Sequence, residues 1–209
     1  MIQYKTPAKE AHAEQIIERS RFIAHVKPVE SREEAEAFIA SIKSSHKTAT
    51  HNVPALVVGD QFQLQWASDD GEPQGTSGAP IVQMLVKEGI TNVAVVVTRY
   101  FGGIKLGTGG LVRAYTGSAK MGLEAAGICR VREMSILRFK TDYSFLSKIQ
   151  NLSQDGNFSI EDIIYEEMVT LKVATEMDKA EEIKELFGNL TAGTASLISE
   201  TTELVKIAL

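Results

Sequence analysis

Two stretches of the chain gather side chains with the chemistry to hold a ligand. The first, SDDGEPQGTSGAP from Ser68 to Pro80, places Asp69, Asp70 and Glu72 within four positions among turn-forming glycines. Carboxylates this close repel one another unless solvent, a cation or basic side chains stabilise them. Three readings stay open: a solvated turn whose Asp side chains bond nearby backbone amides, a partner for Arg99 or Lys105, and a seat for a hard divalent ion such as Mg²⁺. The second stretch, TRYFGGIKLGTGGLVRAY from Thr98 to Tyr115, combines Gly102, Gly103, Gly107, Thr108, Gly109 and Gly110 with Arg99, Lys105 and Arg113. Glycines let the backbone turn freely and present its amides to an anion. A helix beginning at their end adds a partial positive charge. Phosphate or an RNA backbone is the ligand this suits, with Tyr100, Phe101 and Tyr115 available for stacking. The competing reading is that the glycines only permit a tight crossover from strand to helix.

Standard catalytic and nucleotide motifs are absent. No G-x-x-x-x-G-K-[ST] occurs, and Val112 stands where a dinucleotide fingerprint after Gly107-Thr108-Gly109 needs Gly or Ala. The DDGE spacing lacks the ligand alternation of an EF-hand loop. His46 and His51 flank a polar loop without a carboxylate or cysteine at ligand spacing, which reads as exposed or capping histidines. His51 is the better functional candidate because Thr50 and Asn52 surround it with hydrogen-bonding groups. There is no G-x-S-x-G elbow. Cys129 is the single cysteine, so it can form no internal disulfide and reads as a small core residue. No catalytic residue, metal or cofactor is assigned.

These segments need a scaffold. Phe22, Ala24 and Val26 alternate with Ile23, His25 and Lys27, predicting a strand over 21–29 that ends at Pro28. Ser31 and Glu34 have capping-box spacing before a helix whose apolar face is Ala35, Phe38, Ile39 and Ile42. Residues 54–58 and 62–66 predict a hairpin around Gly59 and Asp60. Pro80 suits the first turn of a helix carrying Ile81, Met84 and Leu85 and stopping at Gly89. NVAVVVT, Asn92 to Thr98, is continuously apolar and β-branched, as a central strand covered on both faces should be. A helix follows from about Leu111 to Ala126. Its Gly117 and Gly122 each cost roughly 1 kcal/mol relative to Ala, which close packing of this small-residue face on the sheet would offset.

The remainder has another rhythm. A strand over 135–141, a helix capped at Asp142, strands over 160–165 and 169–175, a second helix and a last strand over 196–207 give the order β-α-β-β-α-β. Asp178 and Glu181 have capping-box spacing for that second helix, and Gly188 its expected stop. The order is that of a ferredoxin-like sandwich. We therefore read an α+β protein of two domains, 1–129 and 130–209. Through Cys129 there are 13 Lys and Arg against 13 Asp and Glu; after it, 9 against 14. Acidity thus belongs to the second domain, and an anion site in the first must be a local patch. No segment has the apolar length to cross a bilayer, and the start lacks a secretory pattern, so a cytoplasmic location without a membrane partner is expected.

SRFIAHVKPVES, ATHN, ASDDGEPQGTSGAPI and VVVTRYFGGIKLGTGGLVRAY together resemble the IMPACT family, over about Ser20 to Gly127. The two-domain layout is similar to its bacterial YigZ-like branch. The resemblance implies an amino-terminal fold like domain 2 of ribosomal protein S5, a sheet with helices on one side, and a ferredoxin-like second domain comparable with domain V of elongation factor G. It implies translation-linked regulation, since eukaryotic relatives restrain the amino-acid-starvation kinase pathway by competing for its activator. Val53 and Pro54 stand where the family pattern suggests Cys and an aromatic after the THN triplet, so no role for that cysteine transfers. The expectation is a non-enzymatic module that binds RNA or the ribosome through the glycine-rich loop. The alternatives are a metal-dependent enzyme on a phosphate ligand, using the acidic loop, and an adaptor for a protein partner in translation control.

Overall fold

The computed structural model describes residues 3–209, so residues 1 and 2 of the expected first domain lie outside the described residues. The chain divides into two compact units, the first of residues 3–131 with 207–209 and the second of residues 132–206. In the first unit the elements run β1 (Gln3–Pro7), β2 (Ala11–Ile17), β3 (Ser20–Pro28), α1 (Arg32–Ser45), β4 (His51–Val58), β5 (Leu64–Ala67), α2 (Gly78–Lys87), β6 (Val93–Tyr100) and α3 (Gly107–Ala126). Five of the strands form a sheet of order β2-β3-β6-β4-β5, every neighbouring pair antiparallel.

The apolar run of β6 lies at the centre of this sheet, and the strand period of two divides its side chains between faces. Val93, Val95 and Val97 enter a core with α2 and α3, whereas Ala94 and Val96 join Phe38, Ile39 and Leu56 beneath α1. Helices therefore cover both faces. This corrects the implied picture of helices on one side: α1 carries too much apolar surface to leave its side of the sheet bare. Ser31 Oγ accepts from the Glu34 amide, but the Glu34 carboxylate reaches back to the Glu30 amide, so the capping box closes one residue early.

Close packing explains only one of the two interior glycines of α3. A Cβ on Gly122 would come within 2.8 Å of Val26 Cγ2 and 3.0 Å of Ala24 Cβ, so β3 occupies the space a side chain would need. At Gly117 the nearest atom is Gln15 Nε2 at 3.8 Å. The helix begins at Gly107 rather than Leu111, so Gly109 and Gly110 belong to its first turn. Strands β1 and β2 were not foreseen in the pattern. The turn joining β2 to β3 is made by Glu18 and Arg19, both with positive φ and neither a residue that announces such a turn.

β7 (Ile128–Thr141) runs through the division between units, where charged residues had suggested a boundary near Arg130. It is followed by α4 (Leu146–Ser153), β8 (Phe158–Tyr165), β9 (Val169–Thr175), α5 (Ala180–Leu190) and β10 (Ser196–Ala208). Their sheet has five strands, in the order β1-β7-β9-β8 with β10 also paired to β7, and apart from β1 the order β10-β7-β9-β8 is that of a ferredoxin-like sheet. Phe187 of α5 fixes its core, stacked on Phe139 at 4.1 Å and edge-on to Phe158 at 5.7 Å. Two details differ from expectation. Asp178 lies in a short 3₁₀ turn and caps nothing, while Glu181 pairs with Lys184 at 2.7 Å. Gly188 lies inside α5, which continues to Leu190 because the chain there keeps helical geometry.

Candidate functional site

Strand register assembles the site. Phe22 of β3, Arg99 of β6 and His51 of β4 are cross-strand partners in one row, so their side chains share a face. The loop after β5 lays Glu72 over that row, and α3 brings Tyr115 beneath it. Arg99 Nη1 donates to Glu72 Oε1 at 2.7 Å, and the Tyr115 hydroxyl donates to the same oxygen at 2.7 Å. Arg99 Nη2 reaches Ser20 Oγ at 3.3 Å, and its guanidinium lies between the rings of Phe22 and Phe101, 5.3 and 5.2 Å from their centroids. Burial, reinforced by the Glu72 carboxylate, holds the Tyr115 phenol far above its ordinary pKa, so it remains a donor.

Arg99 is thus an internal ion-pair partner, its side chain 5 % exposed, and not the surface cation its sequence context suggested. A buried pair of this kind is a structural commitment, since removing one partner leaves an uncompensated charge at a cost of about 3–5 kcal/mol. Lys105 is exposed beside the glycine-rich run. Arg113, also exposed, lines a neighbouring depression with Lys105, Gln15, Glu18 and Gly110. Lys105 therefore neighbours each of the others, sharing this depression with Arg113 and a second pocket with Arg99, while Arg99 and Arg113 line no pocket in common.

The three carboxylates also part company. Asp69 accepts from the Gly75, Ser77 and Gly78 amides and from Ser77 Oγ, closing the loop onto the start of α2. Burial pushes its pKa up, but these hydrogen bonds outweigh that and hold the carboxyl below its usual range. Asp70 takes Lys43 Nζ at 2.7 Å and the Asn52 amide at 2.7 Å. Glu72 faces Arg99. Each of the three is held by different partners, an arrangement that does not fit a divalent ion between them. Among the described residues no group of three His, Cys, Asp or Glu side chains could hold a metal.

Beside this cluster lies a half-open cavity of about 410 Å³, within the span of small-ligand pockets. Arg99, Glu72 and His51 form one polar end, and Phe101, Leu106, Leu111 and Pro73 form apolar walls. Thr50, Lys105, Gly107 and Thr108 complete the lining. His51 Nδ1 lies 2.8 Å from the Asp70 carbonyl oxygen, which can only accept, so Nδ1 carries the hydrogen. In the neutral ring Nε2 is then an acceptor, 3.8 Å from Glu72 Oε2. No side chain caps the amino end of α3 and its first turn has no acidic residue.

Two glycines have specific duties here. A Cβ on Gly102 would fall 2.0 Å from the Arg19 carbonyl oxygen, so the loop can pass the β2–β3 turn only without a side chain. Gly107 begins α3 at φ +69°, a left-handed conformation that glycine adopts without strain. Gly103 lies in the same loop in a left-handed conformation of φ +88°, with its Cβ position open.

Other expected residues serve the scaffold. Asn52 accepts from Thr98 Oγ1 and donates to the His46 carbonyl. Tyr100 points to the opposite sheet face, its hydroxyl hydrogen-bonded with His46 Nδ1 at 2.9 Å. His46 ends α1, as a capping histidine should. Cys129 is buried, 3.4 Å from the Thr6 carbonyl. Ser20, whose hydroxyl joins Arg99 to the Gly102 amide, was missed: nothing in the sequence ties it to residues about eighty positions away.

Comparison with known proteins adds a second line of observation. Residues 18–123 match the family model described as the Impact N-terminal domain, and residues 139–194 match a domain of unknown function, DUF1949. The chain is 40 % identical over 194 residues to IMPACT family member YvyE of Bacillus subtilis, covering 93 % of this chain and 89 % of that one. It is 33 % identical to IMPACT family member YigZ of Escherichia coli, covering 95 % and 98 %. A solved structure described as a crystal structure of an hypothetical protein superposes with a TM-score of 0.59 at 32 % identity, over 100 % of this chain and 98 % of that chain.

Proposed function

Because the chain belongs to the IMPACT family, we propose that it is a translation-linked regulatory protein of the cytoplasm that binds RNA or the ribosome through the glycine-rich run of its first unit. The observation that carries this reading is the start of α3. A helix of 20 residues presents an uncapped amino end on a cavity, with Lys105 exposed beside it and no acidic residue in its first turn. Free amides, a partial positive charge and one mobile ammonium suit a phosphate. Arg113 adds a second charge in the adjoining depression, which Lys105 also lines, as a strand of several nucleotides would use. Among the described residues no helix is long and apolar enough to cross a membrane.

The test is co-sedimentation with ribosomes, and binding to single-stranded RNA, across a salt series. Lys105→Gln with Arg113→Gln should weaken association and reduce the salt slope by about 0.7 per lost phosphate contact on a single strand. Arg99 is left intact, because replacing it would test folding. Unchanged affinity and slope in the double variant would overturn the proposal. Ribosome association that survives nuclease while RNA alone fails to bind would transfer the site to a protein partner.

A further inference from the structure

We propose that the cavity is a nucleobase pocket selective for bases that carry an exocyclic amino group, adenine and cytosine foremost, over uracil. The inference rests on the RNA-binding reading and names what that site would select.

Stacking is the first requirement, and Phe101 provides it. The residue is 45 % exposed, unusual for a phenylalanine, and lines the cavity. The ring is not loose: the Arg99 guanidinium sits 5.2 Å from its centroid and is itself fixed by Glu72, Ser20 and Phe22. A flat ring that packs against Phe101 therefore meets a surface already in place, with Pro73 and Leu111 as apolar neighbours.

The polar end sets the choice among bases. Glu72 Oε1 is occupied by Arg99 and Tyr115, but Oε2 accepts no hydrogen bond among the described residues. His51 Nε2 is likewise without a hydrogen bond, and because the Asp70 carbonyl holds the hydrogen on Nδ1, Nε2 is the nitrogen that accepts whenever the ring is neutral. Two acceptors 3.8 Å apart face the same cavity. An amino group donates one hydrogen to each. A carbonyl at that point, as uracil presents, would set a third acceptor against them and leave all three unpaired. With the base inside, its phosphate falls to the rim, where α3 begins and Lys105 stands.

The experiment uses the full chain with 12-nucleotide oligo(A), oligo(C) and oligo(U), and with AMP, titrated by calorimetry. Oligo(A) and oligo(C) should bind roughly tenfold more tightly than oligo(U), the worth of about two hydrogen bonds made or left unmade. Phe101→Ala, at an exposed position, should weaken oligo(A) roughly 5- to 100-fold. His51→Ala should bring oligo(A) down to the level of oligo(U), with thermal melting to confirm that the variant is folded. Equal affinity for A, C and U, unchanged by Phe101→Ala yet lost with Lys105→Gln, would overturn the base pocket while leaving RNA docking intact. AMP binding with the same Phe101 dependence, but no oligonucleotide binding, would support the pocket and overturn RNA docking. Absence of binding by every probe would overturn both.

Discussion

Glu72 is the residue through which the rest of the site communicates. One carboxylate oxygen neutralises Arg99 and takes the Tyr115 hydroxyl, while the other is left toward the cavity. The buried ion pair and the proposed base recognition thus share one side chain. Across the sheet a different residue carries the pH response. His25 is half-buried, its Nε2 has no hydrogen-bond partner, and it packs against His46 at 5.0 Å and His12 at 6.1 Å. Burial, with the charges of His46 and His12, pushes its pKa down from 6.5 to about 4 despite Glu10 nearby. Its folded-state pKa lies below the unfolded value, so the unfolded chain binds the proton first on acidification. The stability His25 lends is complete above about pH 6.5 and is lost as pH falls toward about 4. Thermal melting between pH 7 and pH 4 should show a falling midpoint, and His25→Asn should flatten that fall. Equal slopes for the two proteins would contradict the assignment.

At the scale of elements, α3 joins site to scaffold, because its start faces the cavity and its body presses on β3. Its two interior glycines should respond oppositely to the same substitution. Gly122→Ala drives a methyl into Val26 and Ala24 and should lower the melting temperature. Gly117→Ala finds room and should raise stability by roughly 0.5–1 kcal/mol through helix propensity. Denaturant titration of both variants decides it, and a shared sign would refute the packing account. The sequence pattern of α3 announced a tight approach to the sheet without saying which glycine required it. The same limit explains the other gains and misses. The unbroken apolar run of β6 could only be a central strand, and the β-α-β-β-α-β order carried the second unit. By contrast, the Glu18–Arg19 turn has no signal residue, so β2 stayed hidden. Arg99 looked like a surface cation because the residues that bury it, Phe22, Glu72 and Tyr115, come from three other parts of the chain. Charge composition reports how many cations exist and not which ones reach solvent.

Over the whole molecule, charge and chemistry are divided. The first unit is balanced and owns the cavity, while the excess of acid lies after Cys129. RNA would therefore meet its local positive patch on the first unit against a net-negative chain, which makes association salt-sensitive in both directions: screening weakens the patch and also relieves the repulsion. The hydrogen bonds that Asp69 makes to Gly75, Ser77 and Gly78 have a kinetic consequence. They tie the loop bearing Glu72 and Pro73 to the first turn of α2, so that side of the cavity is standing before any ligand arrives. Capture then requires no loop folding, and little conformational freedom is surrendered on binding. Stopped-flow mixing with oligo(A) should give a single phase whose rate rises linearly with RNA concentration. Asp69→Ala, by freeing the loop from α2, should introduce a plateau set by the time the wall takes to form.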